Sequence, residues 1–531
     1  MYADSSSVHS RVSELSLPDG VRLVANLWYP SGEGPWPTLL MRQPYDKSIA
    51  STVTYAHPSW WARQGFLVII QDVRGQGQST GVFQGFAQEA QDTAATHAWV
   101  RSLPECNGKL GCYGFSYQGL TQLLAPAHAQ APDCLAPAMV GLDERDNWSC
   151  EGGAHWWHLN LGWGLQLAAL QTKRRGDNQA WLEIFQSLES GSYLQDGPEL
   201  LQRYDPLGMA WTWLQRDPQR RDDWPVHQVQ DSWLKQPMFL IGGWWDPHLL
   251  GVLDLWHKSQ AVGGTPEIEV GAATHLNWWP GTQARLLTFF NKYLKGETLS
   301  ETKKSAQFWN ITRFQWEKLS APPDVTWSLN SSGLACSDPN HGRLIPDAPG
   351  IGEEWIVHDP WRPALAIGGH LSPSAGPVDR RELDLRTDIA TFNSVPLQQE
   401  LLLSGRPQLS LNVEADNPGF DLCVGLSRCP AGINVVEQLS TGHLRVLGDK
   451  ACTCAKYIVQ FQPLLASLEI GDRLRVSIAA AAWPAIGVNP GHRGVPCGPT
   501  SAQHRVVTLI LHLTGSKLRL NPLNFGQPSF G

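Results

Sequence analysis

The stretch Leu110-Gly-Cys-Tyr-Gly-Phe-Ser-Tyr-Gln-Gly119 constrains this fold more than any other. An apolar run leads into Gly114-x-Ser116, and a helix is expected to begin near Gly119 and continue to about residue 130. A turn this sharp leaves no room for a side chain at its flank, which accounts for Gly114. The hydroxyl of Ser116 is then held alone at a strand end, above the amides of a helix N-terminus. The spacing by itself recurs by chance in chains of this length. Its weight comes from the flanking elements and from partners supplied downstream.

Those flanks repeat one theme. Residues 12–29 alternate about Leu17-Pro-Asp-Gly20, turn chemistry between two strands. Short apolar strands are expected at 38–41, 66–70 and 136–140, and an amphipathic helix at 89–102. Strands rich in Val, Ile and Leu that alternate with helices imply a mostly parallel sheet covered on both faces. From about 142 the spacing turns helical, around Trp156, Trp157, Trp163, 165–170, 181–188 and 209–214, and reads as an inserted cap of roughly ninety residues. The sheet pattern resumes at 237–243 and 267–270, followed by a helix at 282–294. Beyond Pro322-Pro323 short alternating runs dominate, separated by Gly, Pro and Asn turns, as in an antiparallel sandwich of jelly-roll type.

Composition excludes several partners. With 531 residues the chain is too long for one core. Its net charge is −8 and its cations are scattered, so neither nucleic acid nor an anionic membrane is expected as a partner. The N-terminus lacks the charged and apolar regions of a signal peptide, and no apolar run approaches the ~20 residues of a membrane span, so a cytoplasmic location is expected. Ten cysteines spread from Cys106 to Cys497 fit reduced thiols. Only Cys452-Thr-Cys454 is a close pair, without further ligands at recognisable spacing, so neither metal nor cofactor is expected. The 25 tryptophans fit either core or pocket.

A serine hydroxyl becomes a nucleophile only beside a base that is itself oriented. The spelling around Ser116, G-x-S-x-x-G, is one residue longer than the nucleophile elbow G-x-S-x-G. In such sheets the partners follow in the order Ser, acid, His, at strand ends. Asp246 follows the strand ending in Gly242-Gly243 and the pair Trp244-Trp245, and His275 follows the strand at 267–270. Taken singly, Asp246 reads as a turn former and His275 as one of 17 histidines. Their joint order behind Ser116 is what assigns catalysis. For the oxyanion, the N–H of Tyr117 is one expected donor. The loop Arg42-Gln-Pro-Tyr-Asp-Lys47 has no Gly-rich segment, so the phenol of Tyr45 is the other.

Arg42-Gln-Pro-Tyr-Asp-Lys47, Gln71-Asp-Val-Arg-Gly75, Gly114-Phe-Ser-Tyr-Gln-Gly119, Gly243-Trp-Trp-Asp246 and the His275 strand end together resemble the cocaine-esterase-like (CocE/NonD) hydrolases, relatives of X-Pro dipeptidyl-peptidases and α-amino acid ester hydrolases. The likeness continues through Trp211, Trp213 and Trp224 to Asp359-Pro, Gly368-Gly369, Asp421 and Gly471-Asp-Arg-Leu474. It implies Ser116 as nucleophile, His275 as base and then acid, Asp246 as orienter, and Tyr45 and Tyr117 as the oxyanion hole. It also implies an α/β-hydrolase core in two parts (1–141 and 236–318), a helical cap (142–235) and a C-terminal all-β jelly roll (319–531).

One departure bears on substrate. The α-amino acid ester hydrolases carry carboxylates two and three residues beyond the catalytic acid, where this chain has His248 and Leu249. An α-ammonium would need such anions in a dry pocket, with Asp143, Glu144 and Asp146 of the cap as the available substitutes. Trp156, Trp157, Trp244, Trp245 and His248 are candidate pocket residues. The expected substrate is a small ester or amide, or a short peptide. The alternatives are X-Pro dipeptidyl-peptidase or acylase activity on the same triad, or an inert core with a binding jelly roll. The sequence leaves open whether the chain forms a homo-oligomer.

Overall fold

Side chains alternate along a strand, and here the alternation serves two covered faces. In the computed structural model, which describes residues 8–48, 53–297 and 305–522, the N-terminal sheet begins with β1 (His9–Ser16), β2 (Arg22–Tyr29), β3 (Trp36–Gln43) and β4 (Leu67–Asp72). It continues with β5 (Cys106–Phe115) and β6 (Cys134–Ala138). A small ribbon, β7 (Cys150–Glu151) and β8 (Ala154–His155), stands apart. β9 (Phe239–Trp245), β10 (Glu267–Thr274), β11 (Ala306–Asn310) and β12 (Gln315–Glu317) complete the sheet. The spatial order is β1-β2-β4-β3-β5-β6-β9-β10-β11-β12. Every neighbouring pair from β4 to β11 is parallel.

The helices cover this sheet. α1 (Pro58–Arg63), α2 (Glu89–Ser102) and the short α3 (Tyr117–Leu120) precede the cap. One face buries Leu39, Met41, Val68, Ile70, Tyr113, Phe239 and Ile241 with Phe289 and Phe290; the other buries Leu40, Leu67, Ile69, Leu110, Leu240 and Val270. Each such side chain stabilises the fold by about 1.5–3 kcal/mol, so both faces are held. The helix expected to reach residue 130 stops at Leu120, and only turns continue to Leu123. Pro126 bars any extension toward residue 130, because the residue before a proline is driven out of helical geometry.

The cap is four helices, α4 (Trp157–Arg174), α5 (Asn178–Ser190), α6 (Tyr193–Tyr204) and α7 (Met209–Gln215), around Leu161, Leu165, Ala168, Ile184 and Leu201. α6 contains Gly197-Pro198, which hides it from a pattern reading of the sequence. α8 (Asp231–Leu234), α9 (Leu249–Ala261) and α10 (Thr282–Phe290) return the chain to the sheet.

The C-terminal part is β-rich. Its strands begin with β13 (Thr326–Asn330), β14 (Gly342–Pro346), β15 (Glu353–His358), β16 (Ile389–Asn393), β17 (Leu401–Gly405) and β18 (Gln408–Ala415). β19 (Gly419–Cys429), β20 (Glu437–Leu447), β21 (Ala455–Gln460), β22 (Leu464–Leu468), β23 (Arg473–Ala479) and β24 (Val507–Arg519) follow. The large sheet runs β20-β19-β23-β16-β14-β13-β24-β18-β21, with β15 also on β24 and a separate β17-β22 pair. All pairings here are antiparallel except β14 with β16. Among the described residues no helix is long and apolar enough to cross a membrane, and the cysteines are free thiols.

Candidate active site

Parallel strands put their C-terminal ends on one edge, and four of them deliver the candidate residues there. Phe115 pairs with Ala138, Ala138 with Ile241, and Trp245 with Thr274, so the residues following β5, β9 and β10 lie along a common rim. Ser116 leaves β5 with φ 57° and ψ −128°, a conformation that costs a non-glycine residue roughly 1–3 kcal/mol. The strain is held in place by the Ser116 N–H bond to Ala138 O at 3.0 Å and by the close approach of α3. At Gly114, φ is 141° and a Cβ would sit 2.5 Å from Gln118 Cβ, so only glycine fits under the turn. Ser116 is 7% exposed, recessed but reachable.

Asp246 lies fully buried after β9, and both of its oxygens are used. Oδ1 accepts the His248 N–H at 2.9 Å and Oδ2 lies 2.6 Å from His275 Nδ1. A carboxylate acceptor fixes the proton on Nδ1 and leaves Nε2 as the basic edge of the ring. His275 itself is held by a turn in which Thr274 N–H donates to Asn277 O and the Trp278 indole donates to His275 O at 3.1 Å. Trp279 lies directly over Gly271, where a Cβ would come within 2.0 Å of its ring. The His275 ring stands 5.2 Å from that of Phe115, the residue before Ser116, and its side chain is 28% exposed.

Tyr45 sits in the loop after β3. Burial pushes its phenol up to about 12, against the opposing pull of hydrogen bonds with Trp163 and Ser116. Trp163 Nε1 donates to the phenol oxygen at 3.0 Å, which leaves the hydroxyl proton free to point elsewhere. The loop is anchored from below. Gln43 Oε1 accepts the Tyr45 N–H at 2.8 Å, and Asp72 accepts the N–H groups of Lys47 and Gln78 at 2.6 and 3.0 Å. The Tyr117 N–H, at the first position of α3, has no acceptor within its own helix.

Tyr117's side chain is a foundation. Its hydroxyl donates to the fully buried Glu89 at 2.8 Å, and Arg42 meets the same carboxylate at 2.9 Å, outside good hydrogen-bond angles. Arg42 also donates to Gln71 and Thr93 at 2.9 and 2.6 Å, so the Arg42 and Gln71 motifs, β5 and α2 share one buried network. Burial raises the Glu89 carboxyl while Arg42 and Tyr117 draw it down.

His248 places its ring 5.0 Å from that of His275, between Trp148 at 4.5 Å and Trp156 at 5.9 Å. Its Nδ1 lies 2.5 Å from Asn147 O, and burial draws its pKa down to about 4, so it stays neutral beside His275. Trp245 is buried at the end of β9. Trp157 and Trp244 are engaged in packing: Trp157 lies in the cap core with its indole on Leu194 O, and Trp244 bonds to Trp309 O. Glu144 accepts from Trp213 at 2.8 Å and His227 at 3.0 Å, and Asp143 pairs with Arg221 at 2.6 Å. The sequence reading missed the roles of Trp148, Trp163 and Glu89; their only signal was helical or aromatic spacing, which does not state a partner.

A strained serine at the tip of a central parallel strand, with a carboxylate-held imidazole on the same rim, is the arrangement of a serine hydrolase built on an α/β-hydrolase sheet. The comparisons agree. A family model described as X-Pro dipeptidyl-peptidase (S15 family) matches residues 19–277, and one described as X-Pro dipeptidyl-peptidase C-terminal non-catalytic domain matches 276–510. The chain thus carries, one after the other, a region similar to each of these two domains, and it is a serine hydrolase. It is 27% identical to cocaine esterase from Rhodococcus sp., over 91% of this chain and 90% of that protein. An aminopeptidase structure from a marine sediment Thaumarchaeota archaeon shares the fold with a TM-score of 0.72 at 18% identity, covering 98% and 97% of the two chains. A CocE/NonD family hydrolase from Staphylococcus aureus does so with 0.69 at 17% identity, over 96% and 92%. The junction between the two family models precedes α10, whereas the N-terminal sheet itself continues to Glu317.

Proposed function

We propose that the chain hydrolyses ester or amide bonds of small acyl substrates through an acyl-enzyme on Ser116. Ser116 Oγ attacks the carbonyl carbon as His275 Nε2 takes its proton. The Tyr45 hydroxyl and the Tyr117 N–H receive the oxyanion, and His275 returns the proton to the departing alcohol or amine. Water then attacks the acyl carbon, His275 takes its proton, and the acid leaves with Ser116 restored. Asp246 holds the imidazole and stabilises its charged form. Neutral His248 adds no positive charge against that imidazolium. The observation that carries the reading is the 2.6 Å Asp246–His275 pair on the rim where Ser116 is held at positive φ.

The substrate side rests on charge. With Asp143 and Glu144 already paired inside the cap, Asp146 held 3.2 Å from Arg145 and His248 replacing a carboxylate, little is left to hold an α-ammonium. Neutral acyl esters are therefore favoured over X-Pro dipeptides, the substrates suggested by the S15 description. A fluorophosphonate probe should label the wild type and not Ser116→Ala; labelling of the variant would remove Ser116 from the nucleophile role. Turnover of p-nitrophenyl esters should exceed that of X-Pro anilides, and the reverse order would overturn the substrate assignment.

A further inference from the structure

In the C-terminal sheet, outside the candidate active site, four strands bring metal-ligating side chains into one row. Val413 of β18 pairs with Ala455 of β21, so Glu414 stands opposite Cys454, the residue leading into β21. On its other side β18 pairs Asn412 with His512 of β24, which makes His512 the diagonal neighbour of Glu414. The Sγ of Cys454, a carboxylate oxygen of Glu414 and a ring nitrogen of His512 all lie within 4.8 Å of one another. His512 Nε2 is 3.3 Å from Glu414 Oε1 and, though buried, makes no hydrogen bond. Across the next ladder Glu353 of β15 pairs directly with His512 and sets Oε2 3.9 Å from Nδ1.

We propose that Cys454, Glu414 and His512 form a binding site for a divalent transition metal of the zinc type. A tetrahedral zinc ion, with ligands at about 2.0–2.3 Å, separates its ligand atoms by about 3.3–3.8 Å. The Nε2–Oε1 pair already has that spacing. The exposed Cys454 side chain needs a shift of about 1 Å, within rotamer freedom. A thiolate, an imidazole and a carboxylate select zinc over magnesium or calcium. Glu353, 3.9 Å from Nδ1, is the carboxylate placed to accept a hydrogen bond from the Nδ1–H after a small side-chain rotation, which leaves the Nε2 lone pair for the ion. The fourth position is left to water. The ion clips the entry of β21, an edge strand, to two inner strands.

The test uses the whole reduced protein, chelator-treated and titrated with Co²⁺, then with Zn²⁺. One equivalent of Co²⁺ should produce a near-ultraviolet thiolate-to-cobalt charge-transfer band, displaced by Zn²⁺. Cys454→Ser and His512→Gln should abolish it, Cys452→Ser should keep it, and Glu353→Gln should weaken binding about 10–100-fold. All four positions are at least partly exposed, and melting temperature checks that each variant is folded. Absence of the band, its survival in Cys454→Ser, or its loss only in Cys452→Ser would overturn the site.

Discussion

Replacing Tyr45 by Phe removes one oxygen and separates two roles of that hydroxyl. If it donates to the oxyanion, its loss costs about 2.7–4 kcal/mol of transition-state stabilisation, a 10²–10³-fold fall in kcat with KM little changed. The same change strips the Trp163 indole of its acceptor. That indole is only partly buried, so the stability cost is about 1 kcal/mol. In a unit of more than 300 residues such a loss lowers Tm by about 1–2 °C. The two effects differ enough in size to be read apart. Because burial holds the phenol at about 12, it remains a donor throughout the working range, and its removal should lower the rate equally from pH 6 to 9. The assay is steady-state hydrolysis of a p-nitrophenyl ester across that range, with calorimetry and fluorophosphonate labelling as controls. A kcat within threefold of wild type in a folded, labelled variant would refute the oxyanion role.

Three further outcomes are expected. Arg42→Met leaves Glu89 buried without its cation, which should cost about 3–5 kcal/mol and lower Tm by roughly 5 °C; an unchanged Tm would show the network to be dispensable. Gly114→Ala forces a Cβ onto Gln118 at positive φ, and should reduce fluorophosphonate labelling far more than it reduces helical content by circular dichroism; normal labelling would mean the turn tolerates a side chain. Finally, burial draws His97 to about 3 and His155, His158 and His248 to about 4. Between pH 6.5 and 4 the unfolded chain binds these protons and the folded chain does not, so stability falls with pH. Asp72 and Asp205, raised to about 6, oppose this with two protons. The net loss is on the order of 2–3 kcal/mol per pH unit, and a urea midpoint that is level or rising from pH 6.5 to 5 would contradict it.

Period and local stereochemistry were enough to recover much of this protein from its sequence. Short unbroken apolar runs marked β3, β4, β5 and β9, because a strand covered on both faces has no polar side to alternate with. Gly114-x-Ser116 marked the elbow because a positive-φ turn admits few residue types. The chain order of Ser116, Asp246 and His275 followed from each standing at a strand end. Partnership was another matter. Trp163 reaches Tyr45 across 118 positions, and Glu89 reaches Tyr117 across 28, contacts that no local pattern encodes. Whether a tryptophan packs or faces the site also depended on the surroundings: Trp157 went to the cap core, while Trp148 went beside His248. Cys454 had no ligands near it in the sequence; only the pairing of β18 with β21 and β24 brings Glu414 and His512 to it. Secondary structure is written in neighbours along the chain, whereas a site is written in neighbours across it, and sheet register decides the latter.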